Sequence, residues 1–149
     1  MIKDEEWMIL AIKEADKARL EGEVPVGAVL VKNNKLLSQG HNQAILKNDA
    51  TAHAEIQVMR YAGNIEKNYR LLDTTLYVTL EPCIMCFSAM VNARINRIVF
   101  GAFNSKKDSC ESCEDLNNLN CFQHKIQVTG GILENKCKHL LNSFFKPRR

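Results

Sequence analysis

The chain has no apolar run approaching the ~20 residues that cross a bilayer, which argues against a membrane protein. Nor does it open like an exported one: Met1-Ile2-Lys3-Asp4-Glu5-Glu6 carries charge where a signal peptide needs a long apolar stretch. Internal repeats, low-complexity stretches and linkers are missing as well, so the 149 residues read as one domain, 1–149. A large net charge is also absent. With 20 basic and 17 acidic side chains the chain stands at +3, well short of a histone-like or ribosomal protein. What excess there is lies late: residues 1–75 carry 10 basic and 11 acidic groups, residues 76–149 carry 10 and 6. Lys146, Arg148 and Arg149 fall within the last four positions, either as a solvated tail or as phosphate contacts.

A hydrophobic fraction of 46% with 25% charged residues is enough apolar material for one soluble core without a disulfide scaffold. Six cysteines (83, 86, 110, 113, 121 and 137) without an export signal point to the reducing cytoplasm and to thiols used as thiols. They include two C-x-x-C pairs.

Helical spacing of Trp7, Met8, Leu10, Ala11, Ala15, Ala18 and Leu20 predicts a helix over Asp4–Leu20, capped by Asp4 and stopped at Gly22. Val24–Val31 and Leu36–Gly40, separated by Asn33-Asn34, read as a β-hairpin. A polar loop covers Asn42–Thr51, and a second helix runs from about His53 to Gly63. Thr74–Leu80 is a Thr- and Val-rich third strand. Pro82 suits a first helical position, and Cys83–Ala93 form the third helix. Ile95–Phe100 make a fourth strand, and residues 104–120 a polar loop with a short helix. Lys125–Val128 make a fifth strand and Leu133–Phe145 a closing helix that Pro147 ends. The strand–helix–strand unit over 74–100 implies a right-handed crossover and a parallel pair joined to the antiparallel hairpin. The expected architecture is α/β: three layers, α/β/α, around a mixed five-stranded sheet.

The chemistry concentrates in His53-Ala54-Glu55 and Pro82-Cys83-Ile84-Met85-Cys86, each at a helix start. Side chains in a first turn lean toward the helix N-terminus and converge beyond it. Positive dipole ends there favour thiolates. One His and two Cys are three soft ligands, the count of a catalytic zinc with a fourth position open for water. Two thiolates weaken Zn²⁺ as a Lewis acid, so a nearby base is needed, and Glu55 is placed for that role without being a ligand. A structural zinc is the bland alternative and needs a fourth ligand. Cys110 and Cys113 with Cys121 and Cys137 are the rival set, but their uneven spacing in a polar segment favours ordinary reduced thiols.

This H-x-E…P-C-x-x-C pattern is the known signature of the zinc nucleobase deaminases. From about Trp7 to Phe145 the chain resembles the bacterial tRNA-specific adenosine deaminases of that superfamily. The likeness rests on Glu23–Val29, Gly40-His41-Asn42, Thr79–Cys86 through Ala89-Met90, Arg94-Ile95 to Phe100-Gly101-Ala102, Gly131-Ile132-Leu133 and Phe144-Phe145. The resemblance implies a cytidine-deaminase-like fold and one Zn²⁺ per chain on His53, Cys83 and Cys86. Glu55 would carry the protons of hydrolysis, turning adenosine into inosine with loss of ammonia. It implies further that Asn42 and the Ala54 N–H hold a flipped base, that the substrate is the wobble adenosine of a tRNA anticodon stem-loop, and that the chain forms a homodimer. Candidate RNA contacts are Asn104, Lys106, Phe144, Arg148 and Arg149; for Phe144 the alternative is a core-facing pair with Phe145. Where the family carries an acidic residue soon after Gly-Ala, Phe103-Asn104 stands here, and an amide oxygen can also accept from a ribose 2′-hydroxyl. The Gly- and Ser-rich stretch that follows is replaced by the acidic, cysteine-bearing run 108–115.

Two other readings keep part of this chemistry. One is a deaminase of free nucleobases or nucleosides such as guanine, cytosine or cytidine. The other is a zinc-stabilised RNA-binding module without catalysis, which leaves Glu55 without a use.

Overall fold

The computed structural model describes residues 2–104 and 112–148, the last by its backbone alone. Helix α1 spans Asp4–Leu20 as its periodicity predicts, but Lys3, not Asp4, occupies the cap position. The Asp4 carboxylate is engaged elsewhere, accepting from Arg97 Nη2 at 2.8 Å and from the Tyr77 hydroxyl at 2.8 Å. A long-range ion pair has displaced the local cap.

Strands β1 (Gly27–Lys32) and β2 (Lys35–His41) form the hairpin. Asn33 and Asn34 both take left-handed backbone, φ 53° and 60°, the conformation of a type I′ turn and one that Asn tolerates. Val24–Val26 lie outside the strand, because the chain turns there with Val26 N–H donating to the Val24 carbonyl. Helix α2 (Ala54–Glu66) runs three residues beyond the expected stop, through Gly63, and ends at Lys67 in left-handed backbone. Strand β3 is Thr74–Leu80, and α3 is Ile84–Ala93. Pro82 therefore precedes the cap residue Cys83 and does not open the helix. Strand β4 (Arg97–Ala102) starts and ends two residues later than expected. The short helix in the polar segment is α4 (Cys113–Asn117), capped by the Ser112 hydroxyl. Then follow β5 (Gln127–Thr129), α5 (Glu134–Phe145) and a 3₁₀ turn over Lys146–Arg148.

The sheet order is β2-β1-β3-β4-β5. β1 pairs antiparallel with β2 and β3, while β3–β4 and β4–β5 are parallel, so the sheet is mixed as expected. Helices cover both faces. On one, α1 and α5 pack against β1, β3 and β4; on the other, α2 lies over β1 and β2 with α3 and α4 beside it. Gly27 permits the first packing, since a Cβ there would collide with the backbone of Ala11 and Ala15 in α1. Gly101 does the same for α5, where a Cβ would strike the Cys137 side chain. The core is built largely of apolar side chains: Met8, Leu30, Leu76, Val78, Phe87, Met90, Ile95 and Ile98 are all essentially inaccessible. Among the described residues no helix is long and apolar enough to cross a membrane.

Candidate metal centre and active site

The parallel β3–α3–β4 crossover brings the start of α3 to the C-terminal edge of β3, and the loop after β2 brings the start of α2 beside it. His53 and Cys83 hold matching positions, each the cap residue of its helix in extended backbone. The His53 imidazole makes no capping bond and turns toward the sulfurs. Its Nδ1 lies 3.7 Å from Cys83 Sγ and 3.5 Å from Cys86 Sγ, and the three ligand atoms sit within 4.8 Å of one another. Zn–S bonds of about 2.3 Å and Zn–N bonds of about 2.0–2.1 Å at tetrahedral angles require S···N edges of about 3.6 Å. The donor set therefore fits zinc in both chemistry and spacing. Among the described residues this is the one group of three or more His, Cys, Asp or Glu side chains that can hold a metal ion.

The thiols behave as a coupled pair. The hydrogen bond from Cys86, with a further one from His53, holds Cys83 down to about 4, while the same bond and burial push Cys86 well up. His53 is raised above its ordinary value by its bond to Cys83. Glu55, in the first turn of α2, is 4% exposed, and burial lifts its carboxyl to about 7. A group poised there can both take up and give back a proton near neutrality.

Asn42 follows directly on β2, its N–H donating to the Val26 carbonyl at 3.1 Å. Its Oδ1 accepts the Ala54 N–H at 2.7 Å, so the structure brings Asn42 and Ala54 together beside His53. Asn104 lies just past β4, tied by its N–H to Glu81 Oε1 at 3.1 Å. Phe144 is buried at the end of α5, edge-on to Phe145 with ring centroids 5.3 Å apart. That is the core-facing arrangement with Phe145, the alternative for Phe144. Lys106 and Arg149 lie outside the described residues, as does the side chain of Arg148. Of the other cysteines, Cys113 and Cys137 are buried free thiols, raised by burial (Cys137 to about 11), and Cys121 is exposed. Cys110 lies outside the described residues.

Two buried acids near the site escape the sequence reading. Glu23, 2% exposed, accepts the N–H groups of Ile45 (3.1 Å) and Leu46 (2.8 Å) and so fixes the loop that begins at Asn42. Glu81 does comparable work beside Cys83. The available signal is an acid embedded among apolar and proline residues, as in Leu80-Glu81-Pro82.

Fold and site together define a zinc-dependent deaminase, and the family described as the cytidine and deoxycytidylate deaminase zinc-binding region matches residues 1–102. The chain is 49% identical over 146 residues to the tRNA-specific adenosine deaminase of Buchnera aphidicola, covering 98% of this chain and 90% of that one. To the Bacillus subtilis protein of the same description it is 42% identical, over 100% and 92% of the two chains. A solved structure from work on A-to-I editing by tRNA:A34 deaminases at the wobble position superposes with a TM-score of 0.87. It is 39% identical, and the match covers 91% of this chain and 99% of the other. The chain belongs to the deaminase family, on the branch that holds these tRNA-specific adenosine deaminases, and zinc is its cofactor.

Proposed function

We propose that the protein deaminates the wobble adenosine of a tRNA anticodon loop to inosine, with His53, Cys83 and Cys86 holding the zinc and Glu55 as general acid and base. The observation that carries this reading is the buried Glu55 carboxyl beside three convergent soft donors whose spacing suits tetrahedral zinc. Kinship with tRNA-specific adenosine deaminases over nearly the whole chain supports the substrate.

Zinc bound there supplies a Lewis acid that acidifies water. Glu55 then takes a proton on its carboxylate and delivers it to the purine ring nitrogen N1. The water oxygen bonds to C6; Glu55 next takes the proton of the resulting C6 hydroxyl and gives it to the exocyclic nitrogen, the C6–N bond breaks and ammonia leaves. Adenosine and water become inosine and ammonia, and Glu55 returns to its starting state. Asn42 and the Ala54 N–H orient the base, while Asn104, Lys106, Arg148 and Arg149 contact the RNA beside it. Residues 1–149 act as one domain in the cytoplasm. The chain works as a homodimer, a reading favoured by the exposed Ile65, Tyr69 and Leu72 along the end of α2 and the turn after it.

The test incubates zinc-loaded protein with an anticodon stem-loop bearing a wobble adenosine and, separately, with free bases and nucleosides. Inosine and ammonia from the stem-loop are expected. Deamination of a free base or nucleoside alone overturns the tRNA reading, and deamination of nothing points to an RNA-binding module. Sedimentation of the purified protein checks the dimer, which a monomer at micromolar concentration would refute.

A further inference from the structure

We propose that Glu81 is a positioning residue for substrate recognition: its carboxylate fixes Asn104, just past β4, and the start of α4 against the strand-to-helix junction that presents Cys83 and Cys86. The inference rests on the reading above, in which Asn104 lies against the RNA.

Glu81 is 7% exposed, and its two carboxylate oxygens are divided between two distant segments. Oε1 accepts the Asn104 N–H at 3.1 Å, and Oε2 accepts the Cys113 N–H at 3.1 Å. Its own N–H donates to the Ala102 carbonyl at 2.8 Å, and the Cys113 thiol donates to the Pro82 carbonyl at 3.8 Å. Residues 81–82 thus grip both Ala102–Asn104 and Cys113, the two ends of the segment between β4 and α4. Two residues after Glu81 comes Cys83. The same short stretch therefore carries a metal ligand and sets the height of Phe103 and Asn104 beside it. Phe103 is half exposed, its ring edge-on to Phe100 with centroids 5.0 Å apart, so the end of β4 is presented outward from a packed base.

The chemistry of the group explains the choice of residue. Only an ionised carboxylate offers two equivalent acceptors to two separate N–H donors, and bonds to a charged acceptor are the stronger kind. Glutamine keeps the length but has one acceptor, and its NH₂ would face a backbone N–H. Aspartate has the charge but is one methylene too short to span both segments. None of these bonds touches the substrate, so the expected signature of losing one is poorer binding with the chemistry intact.

Two variants weaken the grip from opposite sides. Glu81→Gln removes one acceptor. Cys113→Pro removes one donor at a position that tolerates it: it opens α4, and Ser112 before it has φ −66° and ψ 162°, the extended backbone that precedes proline. Cys113→Ala, which keeps the N–H, is the control for the lost thiol. With an anticodon stem-loop as substrate, Glu81→Gln and Cys113→Pro should each raise KM about tenfold with kcat and zinc content unchanged. The double variant should be no worse than the poorer single one, because both break one device. Hydrogen exchange at the Asn104 amide should accelerate in Glu81→Gln and stay as in the wild type in Cys113→Ala.

Unchanged KM in Glu81→Gln despite faster Asn104 exchange would overturn the proposal, as would zinc loss or a fall in kcat at constant KM. Unaltered exchange would show that the carboxylate does not hold Asn104, and would overturn it too. A wild-type protein that makes no inosine from the stem-loop overturns the functional reading instead, while the exchange measurement still reports on the grip itself.

Discussion

Asn42 Oδ1 accepts the backbone N–H of Ala54 at 2.7 Å, so the two groups assigned to the base already hold each other. The bond fixes the carboxamide plane and aims its Nδ2 donor, and it ties the end of β2 to the first turn of α2. Asn42→Asp and Asn42→Ala separate these roles. Aspartate keeps the acceptor for Ala54 and loses the donor to the base. Its Tm should stay near wild type while kcat/KM falls by about tenfold or more. Alanine loses both roles and should lower Tm as well, by an amount corresponding to about 1 kcal/mol. Equal losses of Tm in the two variants would show that the acceptor contributes nothing to the fold.

Glu55 is the group on which turnover depends. Glu55→Ala should retain zinc, because the carboxyl is not among the three clustered donors. Its kcat should fall by about 10²–10⁴-fold, the usual contribution of general acid–base catalysis. Metal analysis and a single-turnover assay check both halves. Substantial remaining activity would mean that another group moves the protons.

Metal content should follow the cluster and ignore the other thiols. Cys86→Ser is expected to lose zinc, whereas Cys113→Ala and Cys121→Ser should each keep about one zinc per chain, the occupancy of a single three-ligand catalytic site. Atomic absorption on dialysed protein reads this directly. A drop in either of the last two would assign those cysteines a metal.

Acid sensitivity should come partly from Asp4. Arg97 beside it, with help from the Tyr77 hydroxyl, holds the Asp4 carboxyl below its ordinary range. A carboxylate whose folded value is lowered contributes stability above its unfolded value and loses it as the pH falls through the folded one. Asp4→Asn should therefore destabilise the protein by about 1–2 kcal/mol at pH 7, the range for a partly buried charge-assisted pair. The difference from wild type should shrink as the pH falls through the folded value. Urea midpoints at pH 7 and pH 3 measure both; an undiminished difference at pH 3 would assign the effect to packing.

Much of this architecture can be read from residue spacing. The bounds of α1 follow from 3.6-residue periodicity and those of β3 from a Thr- and Val-rich run, and Asn33-Asn34 announces a turn because Asn tolerates left-handed backbone. The metal cluster is readable for a similar reason: His53, Cys83 and Cys86 each sit at a helix start, and helix starts converge here. Asp4 shows where such reasoning stops. It has the chemistry of a cap, yet Arg97 lies 93 positions away in sequence and only the folded sheet brings the pair together. Glu23 and Glu81 were hidden for a related reason. Their partners are backbone N–H groups, which every residue but proline carries, so no residue type marks the bond. Phe144 was ambiguous because an aromatic at a helix end suits a core or a ligand equally, and only burial decides.

His53 and Cys83 are 30 positions apart, and between them lie all of α2 and all of β3. A metal joining them closes that stretch into a ring and works as a removable cross-link. β3 is the central strand, paired on both sides. Drawing it out of the sheet would then require breaking a coordination bond as well as two ladders of hydrogen bonds. The ion that equips the site for chemistry would thus also fasten the middle of the sheet to the helical layer above it.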